Sequence, residues 1–154
     1  MSWNRTDGRR ADVLLVEDND DDVVLTRLAF ERAGPPVRLH TVGDGAQCLR
    51  FLRRAPPWQQ APKPDLILLD INMPVMDGRA TLAAIGSDEA LRSIPVVVLT
   101  TSAREEDVAD MYRLRCAGYI VKPVDIERFF EVVGGIRAYW FEVVRLPARL
   151  PVLA

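Results

Sequence analysis

The sequence predicts a doubly wound α/β domain: a parallel sheet of five strands with five helices packed on its two faces. Three observations carry that expectation. Five short apolar runs alternate with helix-length segments between residues 11 and 144. The strongest runs, at residues 13–16, 66–69 and 96–99, are continuously apolar instead of alternating, as strands are when both sheet faces are covered. Strands of that kind joined through helices form a parallel sheet. At 154 residues, 49% of them apolar, the chain has the length of one domain and enough material for a core.

The elements follow in order. The opening MSWNRTDGRR is polar and unpatterned and reads as a flexible leader, residues 1–10. Asp12–Val16 is the first strand. Asn19 is placed to cap a helix whose first turn carries Asp20, Asp21 and Asp22, charges that suit a positive helix end. That helix runs through Leu25, Leu28 and Ala29 and stops at Gly34-Pro35-Pro36. A second strand, Val37–Val42, leads to a helix from about Ala46 to Arg54. Residues 55–64 hold four of the eleven prolines and form a loop. Leu66–Asp70 is a strand ending in an acid. A Met-Pro turn and Asp77-Gly78 precede a helix over Arg79–Ile85, and Asp77 reads as a turn residue. Pro95–Leu99 is the fourth strand, Arg104–Leu114 a helix, and Gly118–Val121 the fifth strand. The last helix starts near Asp125 and extends as far as Val144, so the domain spans 11–144. Residues 145–154, apolar yet carrying Pro147 and Pro151, form an extended tail.

In doubly wound sheets, ligands bind outside the carboxyl ends of the strands. Those ends carry Glu17 and Asp18, then Asp70 with Asn72 close behind, then Thr100, Thr101 and Ser102, and finally Tyr119 and Lys122 around the fifth strand. Three carboxylates brought to one rim repel one another unless a cation joins them. Oxygen donors without His or Cys select Mg²⁺, which also pairs with phosphate oxygens. With Mg²⁺ between Asp18 and Asp70, an Asp70 oxygen stays free to attack phosphorus and form an acyl phosphate. Lys122 and the Thr100 hydroxyl are the groups to hold the remaining phosphoryl oxygens. Asp20–Asp22 are read as helix-start charges outside that chemistry.

Composition excludes other classes. A net charge of -2 leaves no basic footprint for nucleic acid. No apolar run approaches the ~18 residues of a membrane span, and no signal peptide precedes residue 11, so a cytoplasmic protein is expected. Cys48 and Cys116 stand far apart without metal-ligand spacing and read as small apolar residues. His40 lies in an apolar stretch with no evident partner and reads as structural. Of twenty Lys and Arg, only Lys63 and Lys122 are lysines.

Four stretches resemble the receiver domain of two-component response regulators over about residues 11–140: LLVED at 14–18 followed by Asn19, LILLDINMPVMDG at 66–78, VVVLTTS at 96–102, and GYIVKP at 118–123. The resemblance implies a flavodoxin-like (βα)5 sandwich with strand order 2-1-3-4-5. It implies Asp70 as phosphoacceptor, with Lys122 and Thr100 as its catalytic partners. Mg²⁺ ligands would come from Asp18, Asp70 and the Asn72 backbone carbonyl, with Glu17 acting through water. It also implies Thr100 and Tyr119 as a switch pair, a cis Lys122–Pro123 peptide, and a histidine kinase as donor. LTTS at 99–102, KPVD at 122–125, the long central loop and the aromatic last helix are most similar to standalone phytochrome-associated regulators. That narrower likeness implies a bacteriophytochrome kinase and a homodimer.

Too few residues follow position 140 for a DNA-binding domain, so output is expected through an unidentified downstream protein. Tyr139, Trp140 and Phe141 are consecutive and fan over about 200° of helix surface, more than one core face covers. With Leu146 of the tail they are the expected dimer contacts. The alternative within the same chemistry is a phosphorelay intermediate passing its group to a histidine phosphotransfer protein. An aspartyl-phosphate phosphatase, a true enzyme, is disfavoured because Asn72 stands where such enzymes place a second acid. Asn72 and Ser102 are expected beside the path of the water that ends the phosphorylated state.

Overall fold

Continuous apolar strands settle the architecture. In a computed structural model describing residues 10–147, β1 (Asp12–Val16), β2 (Arg38–Val42), β3 (Leu66–Leu69), β4 (Val96–Thr100) and β5 (Gly118–Val121) form one sheet. Every pairing is parallel, and the order is β2-β1-β3-β4-β5. The fold is the expected flavodoxin-like one. The three inner strands are buried along their whole length, whereas β2 and β5 are half-exposed edges.

Side chains on a strand alternate between faces, so each strand feeds two cores. Leu14, Val16, Ile67, Leu69, Val96 and Val98 pack under α2 (Gly45–Leu52), α3 (Gly78–Gly86) and α4 (Glu105–Arg113). Val13, Leu15, Leu66, Leu68, Val97 and Leu99 pack under α1 (Asp20–Arg32) and α5 (Ile126–Ala138). Each such buried side chain contributes ~1.5–3 kcal/mol relative to exposure.

Capping fixes where helices begin. Asn19, Asp44, Asp77 and Asp125 accept from the N–H groups of Asp22, Gln47, Ala80 and Arg128 at 2.9–3.0 Å. Asp77 is therefore a helix cap as well as a turn residue. The N-terminus of α4 has no side-chain cap. An ion pair holds it instead: Asp107, buried, takes Arg79 of α3 and accepts from the Ser102 hydroxyl.

The structure corrects several expectations. The Lys122–Pro123 peptide is trans; among the described residues the cis bond is Pro56–Pro57. Trans is the intrinsically favoured isomer, and Lys122 reaches its partners from it. The last helix does not continue regularly to Val144 but closes in a π-helical turn, Tyr139–Val143, whose Val144 N–H donates to the Tyr139 carbonyl at 2.9 Å. The wider turn delays the core-facing position, so Phe141 follows Ile136 inward and is only 2% exposed. Phe141 is thus a core residue of its own chain, outside the exposed aromatic fan expected for residues 139–141. Leu146 is half-buried against the same core. His40 does have a partner: its Nε2 lies 3.0 Å from Asp12 Oδ1, and its ring is tilted against Phe51. Both cysteines are buried, and burial pushes the Cys48 thiol up to about 12. Residues 1–9 of the expected leader and 148–154 of the tail lie outside the described residues.

Candidate functional site

The parallel sheet brings the polar strand ends to one rim, and backbone hydrogen bonds fix their heights. Glu17 N–H donates to the Val42 carbonyl at 3.0 Å, Asp70 N–H to Val16 at 3.1 Å, and Lys122 N–H to Thr100 at 2.7 Å. Carboxylate oxygens of Glu17, Asp18 and Asp70 all lie within 4.8 Å of one another. Glu17 is buried, Asp18 is exposed and Asp70 is nearly buried, so the cluster is a shallow acidic hollow open on the Asp18 side.

Charge is unbalanced there. Burial pushes the Glu17 carboxyl up to about 7; the hydrogen bond from Lys122 opposes the shift, and the neighbouring Asp70 charge adds to it. The Lys122 ammonium is bonded to Glu17 and, at 2.9 Å, to Asp22 Oδ2. Burial works against its charge, yet those two carboxylates outweigh burial and hold its pKa above the usual value. One Asp70 oxygen accepts the Ile71 N–H at 2.8 Å. The segment after Asp70 has little room. Gly78 N–H donates to the Ile71 carbonyl at 2.7 Å, and a Cβ on Gly78 would fall 2.7 Å from Ile71 Cα and against the Asp70 carbonyl.

Thr100 is fully buried at the end of β4, and its Oγ1 accepts a long hydrogen bond, 3.5 Å, from Ser102 N–H. Tyr119 is half-buried, and its hydroxyl donates to the Ser102 carbonyl at 2.9 Å. The two switch candidates therefore meet at Ser102. The Ser102 hydroxyl points to Asp107 in this conformation. Asn72 is exposed, two residues beyond Asp70.

The structure thus brings Glu17, Asp18, Asp70 and Lys122 together as expected, and adds two groups that sequence reasoning missed. Asp22 sits in the site as a lysine partner, not merely a helix-start charge. Its signal was present: Asp22, Thr26 and Ala29 recur at helical spacing, and the latter two face the core. The Arg79–Asp107 pair joins residues 28 apart and left no local signal.

Known proteins share this sequence pattern and fold. The family profile described as "Response regulator receiver domain" matches residues 13–134. Response regulator Rcp1 of Synechocystis is 40% identical over 136 residues, covering 88% of this chain and 92% of that protein. Its Mn²⁺-bound crystal structure superposes with a TM-score of 0.84 at 39% identity over 90% of this chain and 99% of that one. Phosphorylated RcpA, a cyanobacterial phytochrome response regulator, gives a TM-score of 0.87 at 40% identity, covering 91% of this chain and 100% of that one. The "Probable methanogenesis regulatory protein FilR2" of Methanothrix harundinacea is 38% identical over 88% of this chain and 86% of its own.

Proposed function

The chain belongs to the response-regulator receiver family and is related to phytochrome response regulators, and from that premise we propose that it accepts a phosphoryl group on Asp70 from a histidine kinase of phytochrome type. The observation that carries this reading is the trio of carboxylates within 4.8 Å of one another beside a buried lysine. A solely structural site gains nothing from such crowding.

Three oxygen donors with no His or Cys fit a hard divalent cation, and a Mn²⁺-bound form of the relative Rcp1 supports that fit. Asp18, Asp70 and the Asn72 backbone carbonyl would hold Mg²⁺, with Glu17 acting through water. When bound, the ion offsets charge on the carboxylates and on the phosphoryl oxygens. Asp70 contributes the oxygen that is not bonded to the Ile71 N–H. That oxygen forms a bond to phosphorus as the bond from phosphorus to the donor imidazole nitrogen breaks. Lys122 neutralises a phosphoryl oxygen, and the Thr100 hydroxyl donates to another. Thr100 moving toward the phosphoryl group displaces Ser102, and with it the Tyr119 hydroxyl, which reshapes the face formed by α4, β5 and α5. A downstream protein reads that face.

The test is direct. With Mg²⁺ and acetyl phosphate the wild type gains one acid-stable, base-labile phosphoryl group by intact mass. Asp70→Asn gains none, and Lys122→Ala is labelled but fails to change conformation. Equal labelling of wild type and Asp70→Asn overturns the assignment.

Self-association belongs to the same proposal. Tyr139 is 51% exposed beside half-buried Trp140, at an open apolar hollow of about 450 Å³ whose lining also includes Ile120 and Gly135. A second copy covers it, held by the C-terminal segment. Ending the chain after Val144, which keeps Phe141 in its core, is expected to give monomers by sedimentation. A dimer from that shortened chain removes the tail from the interface.

A further inference from the structure

Asp20, Asp21 and Asp22 open the first helix together, but they do not behave alike. Asp20 and Asp21 are exposed, whereas Asp22 turns inward onto the Lys122 ammonium at 2.9 Å. Its backbone is gripped on both sides: its N–H donates to Asn19 Oδ1 at 3.0 Å, and its carbonyl accepts the Thr26 hydroxyl at 2.7 Å. The carboxylate is therefore presented from a rigid first turn, not from a mobile arm. Lys122 is correspondingly confined, its side chain 7% exposed. An ammonium has three N–H donors. Here Glu17 and Asp22 are its hydrogen-bond partners, while Asp70 acts on it only through space.

Resting on the assignment of Asp70 as phosphoacceptor, we infer that Asp22 is a positioning residue that holds Lys122 on the α1 side of the pocket, so that a phosphoryl group on Asp70 has to draw the lysine away from it. The reasoning is a competition between anions for one cation. Glu17 has a second use when a divalent ion enters, because the ion attracts its carboxylate. Asp22 stands on the helix, outside the cluster of metal-ligating oxygens, and keeps its claim on the ammonium throughout. A phosphoryl oxygen on Asp70 engages the donor that Glu17 and Asp22 leave open and pulls the ammonium toward Asp70, against the hold of Asp22. This chain thereby carries a restraint on its own switch, set by one side chain of the first helical turn.

The experiment uses the full chain with Mg²⁺ and beryllofluoride, a phosphoryl mimic that binds aspartate without covalent turnover, followed by calorimetry. Asp22→Asn keeps the shape and removes the charge. It is expected to tighten beryllofluoride binding about threefold to tenfold, the range for a partly exposed charge-assisted hydrogen bond. Asp21→Asn makes the same charge change on the same turn without touching Lys122 and is expected to move the affinity less than twofold. In a Lys122→Ala background the effect of Asp22→Asn is expected to vanish, because there is no ammonium left to hold. Unchanged or weaker binding in Asp22→Asn overturns the inference, as does a gain that persists without Lys122 or is matched by Asp21→Asn. A wild type that binds no beryllofluoride at all refutes the phosphoacceptor assignment itself, so the two failures are distinguishable.

Discussion

Strand β1 carries a buried carboxylate at each end, in opposite company. Asp12 opens the strand, fully buried. It accepts two hydrogen bonds from the Arg38 guanidinium at 2.8 and 3.1 Å and lies 3.0 Å from His40 Nε2. Glu17, just past the other end, is crowded by Asp18 and Asp70 and shares its one lysine with Asp22. At the first end the Arg38 guanidinium pairs with the acid, the Asp12 N–H is taken by Asp65, and the group ties β1 to the edge strand β2. At the second, acids outnumber cations, and on the proposed reading the surplus is what a divalent ion from solution would offset. Charge balance, more than burial, separates a structural carboxylate from a working one.

That contrast predicts opposite phenotypes. Asp70→Asn is expected to abolish phosphoryl uptake while raising the metal-free stability by about 0.5–2 kcal/mol, because it relieves repulsion. Asp12→Ala is expected to lower stability by about 1–3 kcal/mol, the cost of lost hydrogen bonds between charged groups. Its labelling per folded molecule should stay at the wild-type level. Urea unfolding and intact mass on the same samples read both quantities. A folded Asp12→Ala protein that takes no label would erase the distinction between the two ends.

Gly78→Ala probes how tightly the working end is built. The new Cβ meets the Asp70–Ile71 backbone, which has no flexible tip to yield, and a cost of about 1–3 kcal/mol is expected. Uptake of label should slow as well, because the loop after Asp70 is displaced. Full activity in Gly78→Ala would mean that this loop tolerates movement.

The smallest effect is a pH dependence with a defined sign. Glu17 has a folded-state pKa raised from 4.5 to about 7, so between those values the folded protein binds more protons than the unfolded chain. Metal-free stability is therefore expected to fall as pH rises from about 4.5 to 7 and to level off above that. Mg²⁺ needs the carboxylate form, so its affinity is expected to rise across the same window with up to one proton released per ion. Denaturation midpoints with and without Mg²⁺ at pH 5, 6, 7 and 8 give both curves. Parallel curves would exclude Glu17 from the metal's surroundings.

Most of the sheet was legible because its inner strands are almost wholly apolar, and the rule that ligands bind at strand ends singled out Glu17, Asp18, Asp70 and Lys122, which the structure brings together. What escaped depended on phase or on pairing at a distance. Phe141 was misplaced because a regular 3.6-residue period carries no sign of the π turn over Tyr139–Val143. Asp22 lay hidden in a run of three acids whose common explanation, the helix dipole, suits all three equally. His40 lacked a partner in sequence because Asp12 stands 28 residues away across β1 and β2.

The central claim is that the carboxyl end of the sheet holds a negative surplus reserved for a divalent ion. Isothermal titration of the metal-free protein with Mg²⁺ addresses it most directly, with Asp18→Asn alongside. Saturable 1:1 binding in the millimolar range or tighter, weakened at least tenfold by Asp18→Asn, is the expected result. A folded wild type that shows no Mg²⁺ binding, or one whose binding is indifferent to Asp18, contradicts the account.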